Sequence, residues 1–160
     1  MQIYLLRHGI AADAAPGQPD AARPLTAEGK EKLRRVLHRA AAAGARPALI
    51  VSSPLRRALE TAAVAAEVFQ YKARITVTDA LLPEASPYDL WDEIRRHSED
   101  PAILLASHEP LMSTMAAFLL SGPAVQVDMK KAALLRIDSD RLGREPKGVL
   151  KWMLTPAVCD

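Results

Sequence analysis

The stretch "YLLRHGI", residues 4–10, decides how the rest of the chain is read. Tyr4, Leu5 and Leu6 end a short apolar run that begins at Gln2, the pattern of a buried strand. Arg7 and His8 follow at once, and Gly9 supplies the turn. A strand from a protein core thus ends in a fixed cation and a titratable nitrogen base. Taken alone, the pair also fits a solvated turn, because loops are mostly polar. The remaining junctions of the chain decide between the two.

Strand and helix patterns alternate from there on. Residues 11–24 are rich in Ala, Pro, Gly and Asp and read as a loop. Thr26 caps a helix whose buried stripe is Leu33, Val36, Leu37, Ala40 and Ala41, at helical spacing. Gly44 and Pro47 stop it. Ala48–Val51 is a second strand. Ser53-Pro54 reads as a cap followed by a proline in the first turn, opening a helix to about Phe69 that buries Leu59, Ala62, Ala63 and Ala66. Arg74–Thr78 is a third strand. Ser86-Pro87 repeats the cap signature ahead of Leu90, Trp91 and Ile94. Ala102–Ala106 is a continuous apolar strand, and Glu109-Pro110 opens a helix that ends near Ser121-Gly122-Pro123. Ala132–Ile137 and Val149–Leu154 are the last two strands.

This alternation predicts an α/β protein with a mostly parallel sheet, folded as one domain over residues 1–160. Such sheets bind ligands beyond the carboxyl ends of their strands. Three of those ends are alike. The first runs into Arg7-His8-Gly9, the second into Ser52-Ser53-Pro54-Leu55-Arg56-Arg57, and the fourth into Ser107-His108-Glu109-Pro110. Arg56 and Arg57 stand in the first turn of a helix, where the dipole disfavours a cation. A bound anion removes that conflict, and free N–H groups at a helix start favour one.

Composition excludes several other classes. The chain has 160 residues, 49% apolar and 25% charged, with a net charge of +2. No stretch interleaves basic and aromatic residues as a nucleic-acid binder does. No apolar stretch approaches the roughly 18 residues that span a bilayer, and the opening apolar run is too short for a signal peptide. Cytoplasmic localisation is the expectation. Cys159 is the single cysteine, which excludes an internal disulfide and reads as a frayed terminal thiol.

The segments "LLRHG", "RPLTAEG" (residues 23–29), "SSPLRRALET" and "ASHEP" together resemble the histidine phosphatase superfamily, whose fold is phosphoglycerate mutase-like. The short chain is most similar to its small bacterial branch, the SixA-type phosphohistidine phosphatases. The resemblance implies a three-layer α/β/α sandwich without a large inserted helical subdomain, reaction through a phosphorylated histidine, and no metal or cofactor. His8 matches the nucleophile, Arg7 and Arg57 the phosphate-binding arginines, and His108 the second histidine. Arg56 falls one position off, about 100° round the helix, and reads as a rim charge. Arg23 is either a further phosphate contact or a loop arginine pairing with a carboxylate such as Asp20. Glu84 is the local candidate for a general acid or an exposed loop glutamate. His38 and His97 read as surface residues.

These types suit phosphoryl transfer, which needs charge neutralisation and in-line placement above all. Two arginines fork onto non-bridging oxygens and stay charged at any working pH. His108 adds a hydrogen bond or a charge. His8 must be neutral at the attacking nitrogen, with its other nitrogen donating to a backbone carbonyl. The expected substrate is phosphohistidine on a signalling or phosphotransfer protein, handled by a monomer. A phosphatase of small phosphomonoesters, a non-catalytic phosphate-binding module and a metal hydrolase are the competing readings.

Overall fold

The computed structural model describes residues 1–159. Six strands form one sheet in the order β3-β2-β4-β1-β5-β6: β1 is Gln2–Arg7, β2 Leu49–Ser52, β3 Thr76–Val77, β4 Ala102–Ser107, β5 Leu134–Asp138 and β6 Val149–Leu154. β3, β2, β4 and β1 run parallel, while β5 is antiparallel to both β1 and β6. The central strands are apolar on both faces because helices cover both. Ile3, Leu5, Val51, Ile103 and Leu105 pack against α3 (Pro87–Arg96) and α4 (Leu111–Leu119). Tyr4, Leu6, Ile50, Leu104 and Ala106 pack against α1 (Ala27–Ala42) and α2 (Arg56–Val68). The architecture is the expected three-layer sandwich, with only residues 78–86 between β3 and α3.

Thr26 caps α1 as its sequence indicates, accepting from Gly29 N at 2.9 Å. Ser86 caps α3, accepting from Tyr88 N. Other expectations are corrected. The third strand is two residues long rather than five, since only Thr76 and Val77 find partners on β2. β5 begins at Leu134 rather than Ala132, because Ala132 has φ +63° and turns its N–H onto His8 O. α2 begins at Arg56, with Leu55 as its cap and no side-chain cap bond. Its buried stripe runs through Ala58, Thr61, Ala62 and Ala65, while Ala63 is exposed. The stripe is rotated from the expected one because the helix also turns Arg57 inward. Cys159 is buried among the side chains beneath α1 and α2, not frayed. Among the described residues no helix is long and apolar enough to cross a membrane.

Candidate active site

The carboxyl ends of β1, β2 and β4 lie side by side, so three segments far apart in sequence meet at one edge of the sheet. His8 N donates to Ser107 O at 2.9 Å and Ser53 N to Ala106 O at 3.0 Å, extending the ladder into the three loops. His8, Ser53, Arg57 and His108 are all buried there. The His8 and His108 rings lie 5.1 Å apart, centroid to centroid.

His8 Nδ1 stands 2.7 Å from Gly9 O. A carbonyl only accepts, so Nδ1 carries the proton and Nε2 keeps its lone pair. Burial pushes the His8 pKa down to about 4, against the Gly9 hydrogen bond and with help from Arg57, Arg7 and Lys131. Burial likewise lowers His108 to about 3, reinforced by His8 and Arg57. Both imidazoles are therefore neutral at pH 7, and His108 brings a hydrogen bond rather than a charge to the site.

The loop after β1 is fixed from three sides. Thr61 Oγ1 accepts from Gly9 N at 3.2 Å and donates to Arg57 O at 2.7 Å, tying α2 to it. Thr26 N donates to Ile10 O at 2.9 Å. Gly29 presses its backbone against Ile10 so closely that any Cβ would run into it. This contact explains the glycine of "RPLTAEG". Arg7 reaches the segment before β5, donating from Nη1 to Met129 O at 2.7 Å.

Arg57 is 6% exposed, and its Nη1 meets Asp20 Oδ2 at 3.1 Å and Asp20 O at 3.2 Å. Arg56 is turned outward and pairs with Glu60 at 3.2 Å, as the helix angle requires. Arg23 pairs with Asp20 at 2.9 Å and also donates to Ala12 O, so its carboxylate-pairing reading describes this structure. Glu84 is exposed on the loop before α3. His97 pairs with Glu93 at 3.3 Å, and His38 is exposed.

Two participants were not legible in the sequence. Ser53, which reads as a helix cap, places its hydroxyl 2.8 Å from His108 Nε2 and so sets that ring's orientation. Its position at the end of β2, beside the strand that ends in His108, was the available signal. Asp20 sits in a loop with no periodicity, and nothing marks it as the partner of Arg57. Although desolvation beside the arginines pushes it up, Arg57 and Arg23 hold the exposed Asp20 carboxyl below the usual range.

Among the described residues, Arg7 Nε, Arg57 Nε and His108 Nδ1 are buried without a hydrogen-bond partner. Leaving a buried donor unsatisfied costs about 1–3 kcal/mol. The two arginine donors, joined by His108 Nδ1 when the Ser53 hydroxyl donates to its Nε2, suit a tetrahedral oxyanion with several acceptor oxygens. Among the described residues no group of three His, Cys, Asp or Glu side chains could hold a metal ion.

A site of this kind, at the strand ends of an α/β sandwich, defines a phosphoryl-handling class of protein. Residues 3–83 match the histidine phosphatase superfamily (branch 1), half of the chain. An uncharacterised protein of Picosynechococcus sp. is 31% identical over 142 residues, which cover 87% of this chain and 86% of that one. The chain belongs to the histidine phosphatase superfamily. Its fold is similar to the protein histidine phosphatase SixA complexed with tungstate, with a TM-score of 0.84 at 23% identity over 98% of both chains. It is also similar to an Agrobacterium tumefaciens protein assigned as phosphohistidine phosphatase SixA, with a TM-score of 0.81 at 25% identity over 97% of this chain and 98% of that one. A mycobacterial glucosyl-3-phosphoglycerate phosphatase shares the fold at a TM-score of 0.69 and 18% identity, over 94% and 96% of the two chains.

Proposed function

We propose that this protein is a metal-independent phosphatase that removes the phosphoryl group from phosphohistidine on another protein, through a covalent phosphohistidine at His8. The observation that carries the reading is the His8 ring itself. It is neutral, locked through Nδ1 to Gly9 O, and surrounded by the donors of Arg7, Arg57 and His108.

In the first step His8 Nε2 forms a bond to phosphorus as the bond to the substrate's imidazole nitrogen breaks. The electron pair leaves with that imidazole, whose other nitrogen already holds a proton, so it departs neutral. Arg7 and Arg57 hold the non-bridging oxygens, and His108 donates a further hydrogen bond. In the second step water attacks phosphorus, His8 recovers its lone pair, and the water proton passes to solvent. Asp20 must release Arg57 for the oxyanion to enter. Tungstate bound to the SixA protein is consistent with such a cradle.

The carboxylates favour phosphorus–nitrogen over phosphorus–oxygen cleavage. An alkoxide leaving group needs an acid, yet Asp20 is held ionised by two arginines and Glu84 stands exposed. The open loop between β3 and α3 leaves room for a protein surface. The test compares a phosphohistidine protein with a panel of alkyl and aryl phosphomonoesters. The phosphohistidine protein should lead the alkyl esters by at least about 100-fold in kcat/KM, some 2.7 kcal/mol of barrier. Aryl esters should fall between, and Glu84→Gln should barely slow phosphohistidine turnover. Activity should persist in excess chelator. A sugar phosphate or nucleotide that proves the better substrate, with Glu84→Gln abolishing its hydrolysis, would make this a small-molecule phosphatase instead.

A further inference from the structure

A cleft of about 770 Å³ opens on the Arg7 side of the site. Arg7, Lys32, Arg35, Lys130 and Lys131 line it, and no acidic side chain among the described residues does. Lys32 and Arg35 are three residues apart on α1, so they share one face of that helix. Lys130 and Lys131 come from the segment between α4 and β5. That segment is fixed to the site at two points: Arg7 Nη1 donates to Met129 O at 2.7 Å, and Ala132 N donates to His8 O at 3.0 Å. The same backbone that orients Arg7 therefore presents the two lysines.

The three lysines are available to a ligand. Lys32 meets Glu28 at 2.8 Å and Lys130 meets Asp128 at 2.9 Å, but these carboxylates are 65% and 74% exposed. Exposed pairs of this kind are weak and yield readily to a better partner. Lys131 is exposed, and its charge is felt at His8. The other side of the site is different, since Asp20 stands there on Arg57. One phosphoryl group is satisfied by Arg7, Arg57 and His108. The cleft beyond Arg7 concentrates positive potential where that group has no atoms.

We infer that this cleft is a second anion subsite, which takes a carboxylate or phosphate carried by the substrate beside the phosphoryl group that is transferred. The inference rests on the reading of His8, Arg7, Arg57 and His108 as the phosphoryl site. Lysines on flexible stems accept an anion over a range of positions, which suits a substrate surface more than a single rigid ligand. Acidic side chains flanking a phosphohistidine would supply the anion on a protein, and a second phosphate would supply it on a small molecule. Arg7 touches both subsites and links binding of the second anion to placement of the first.

Calorimetry on His8→Ala, which cannot turn ligands over, tests the subsite. Phenyl phosphate is compared with 3-carboxyphenyl phosphate at low salt. The added carboxylate should tighten binding at least tenfold, and the gain should shrink severalfold in 0.5 M salt. Lys32→Ala with Lys131→Ala should remove most of the gain, whereas Lys32→Arg with Lys131→Arg should keep it. The ratio of kcat/KM for the same two esters in the unsubstituted protein gives an independent reading. Equal affinity for the two esters, or a gain that survives both alanines, overturns the subsite and leaves the phosphoryl site standing. Failure of every ligand to bind overturns both.

Two further pairs identify the source of the anion. One sets phosphate against pyrophosphate. The other sets peptides bearing a non-hydrolysable phosphohistidine mimic with acidic neighbours against the same peptides with neutral ones. A gain with the acidic peptide supports the subsite and a protein substrate. A gain with pyrophosphate alone supports the subsite and contradicts the protein substrate.

Discussion

His8 and His108 hold less positive charge folded than they would unfolded, and this has consequences for both rate and stability. Their pKa values fall to about 4 and about 3 from the usual 6.5. A protonated Nε2 cannot attack phosphorus, so kcat/KM should decline as pH falls through about 4 and should show no limb near 6.5. A pH–rate profile with an acid limb near 6.5 in the free enzyme would contradict the burial of His8. Between about pH 4 and 6.5 the unfolded chain binds more protons than the folded one, so stability rises with pH across that window. Melting measured downward from pH 7 should lose on the order of 3 kcal/mol by pH 4 from each of these two groups, roughly 6 together. His8→Ala should flatten part of that slope.

The neighbouring arginines separate at the same scale. Arg57 is buried against Asp20, whereas Arg56 is exposed and paired with Glu60. Arg57→Ala should cost about 2–4 kcal/mol of transition-state stabilisation, roughly a 30- to 1,000-fold loss in kcat. Arg56→Ala should cost less than about threefold. Equal losses from both, measured with an aryl phosphate, would mean that the helix presents a different face to the substrate.

At the level of elements, the site depends on how α1 and α2 hold the turn after β1. Thr61 ties α2 to Gly9, and Thr26 ties the start of α1 to Ile10. Gly29 allows the two backbones to touch. Gly29→Ala should cost about 1–3 kcal/mol, because backbone must move to admit the methyl group. It should also lower kcat by displacing His8, so a melting curve and a rate measured on one sample check it. Unchanged melting would show that α1 tolerates the shift. Local signals made several of these elements legible. Thr26 and Ser86 stand at helix starts, and Leu90, Trp91 and Ile94 mark one buried face. The face of α2 was not legible, because turning Arg57 inward overrides the pattern of its alanines. Ala132 was also misplaced, since its positive φ answers to His8 O rather than to any local preference.

For the whole molecule, strand order decides the site. β1, β2 and β4 become neighbours only through crossovers, and this brings His8, Ser53 and His108 together across 55 and 100 positions of chain. The parallel sheet and the convergence of its strand ends follow from the alternating pattern, so the meeting of Arg7, His8 and His108 at one sheet edge was legible, while the role proposed for His8 came from the resemblance. The contacts of Asp20 with Arg57 and of Met129 with Arg7 were not, because loops without periodicity reveal their position only once the sheet is built. The fold carries no large inserted subdomain, since only residues 78–86 lie between β3 and α3. The central claim is that His8 itself becomes phosphorylated during turnover. The protein is mixed with phosphorus-labelled phosphohistidine protein, quenched within milliseconds in alkali, and mapped by peptide mass spectrometry. The account predicts label on the peptide containing His8, stable in alkali, lost in acid, and absent in His8→Ala. Label that survives acid, or that persists on the protein in His8→Ala, would contradict it.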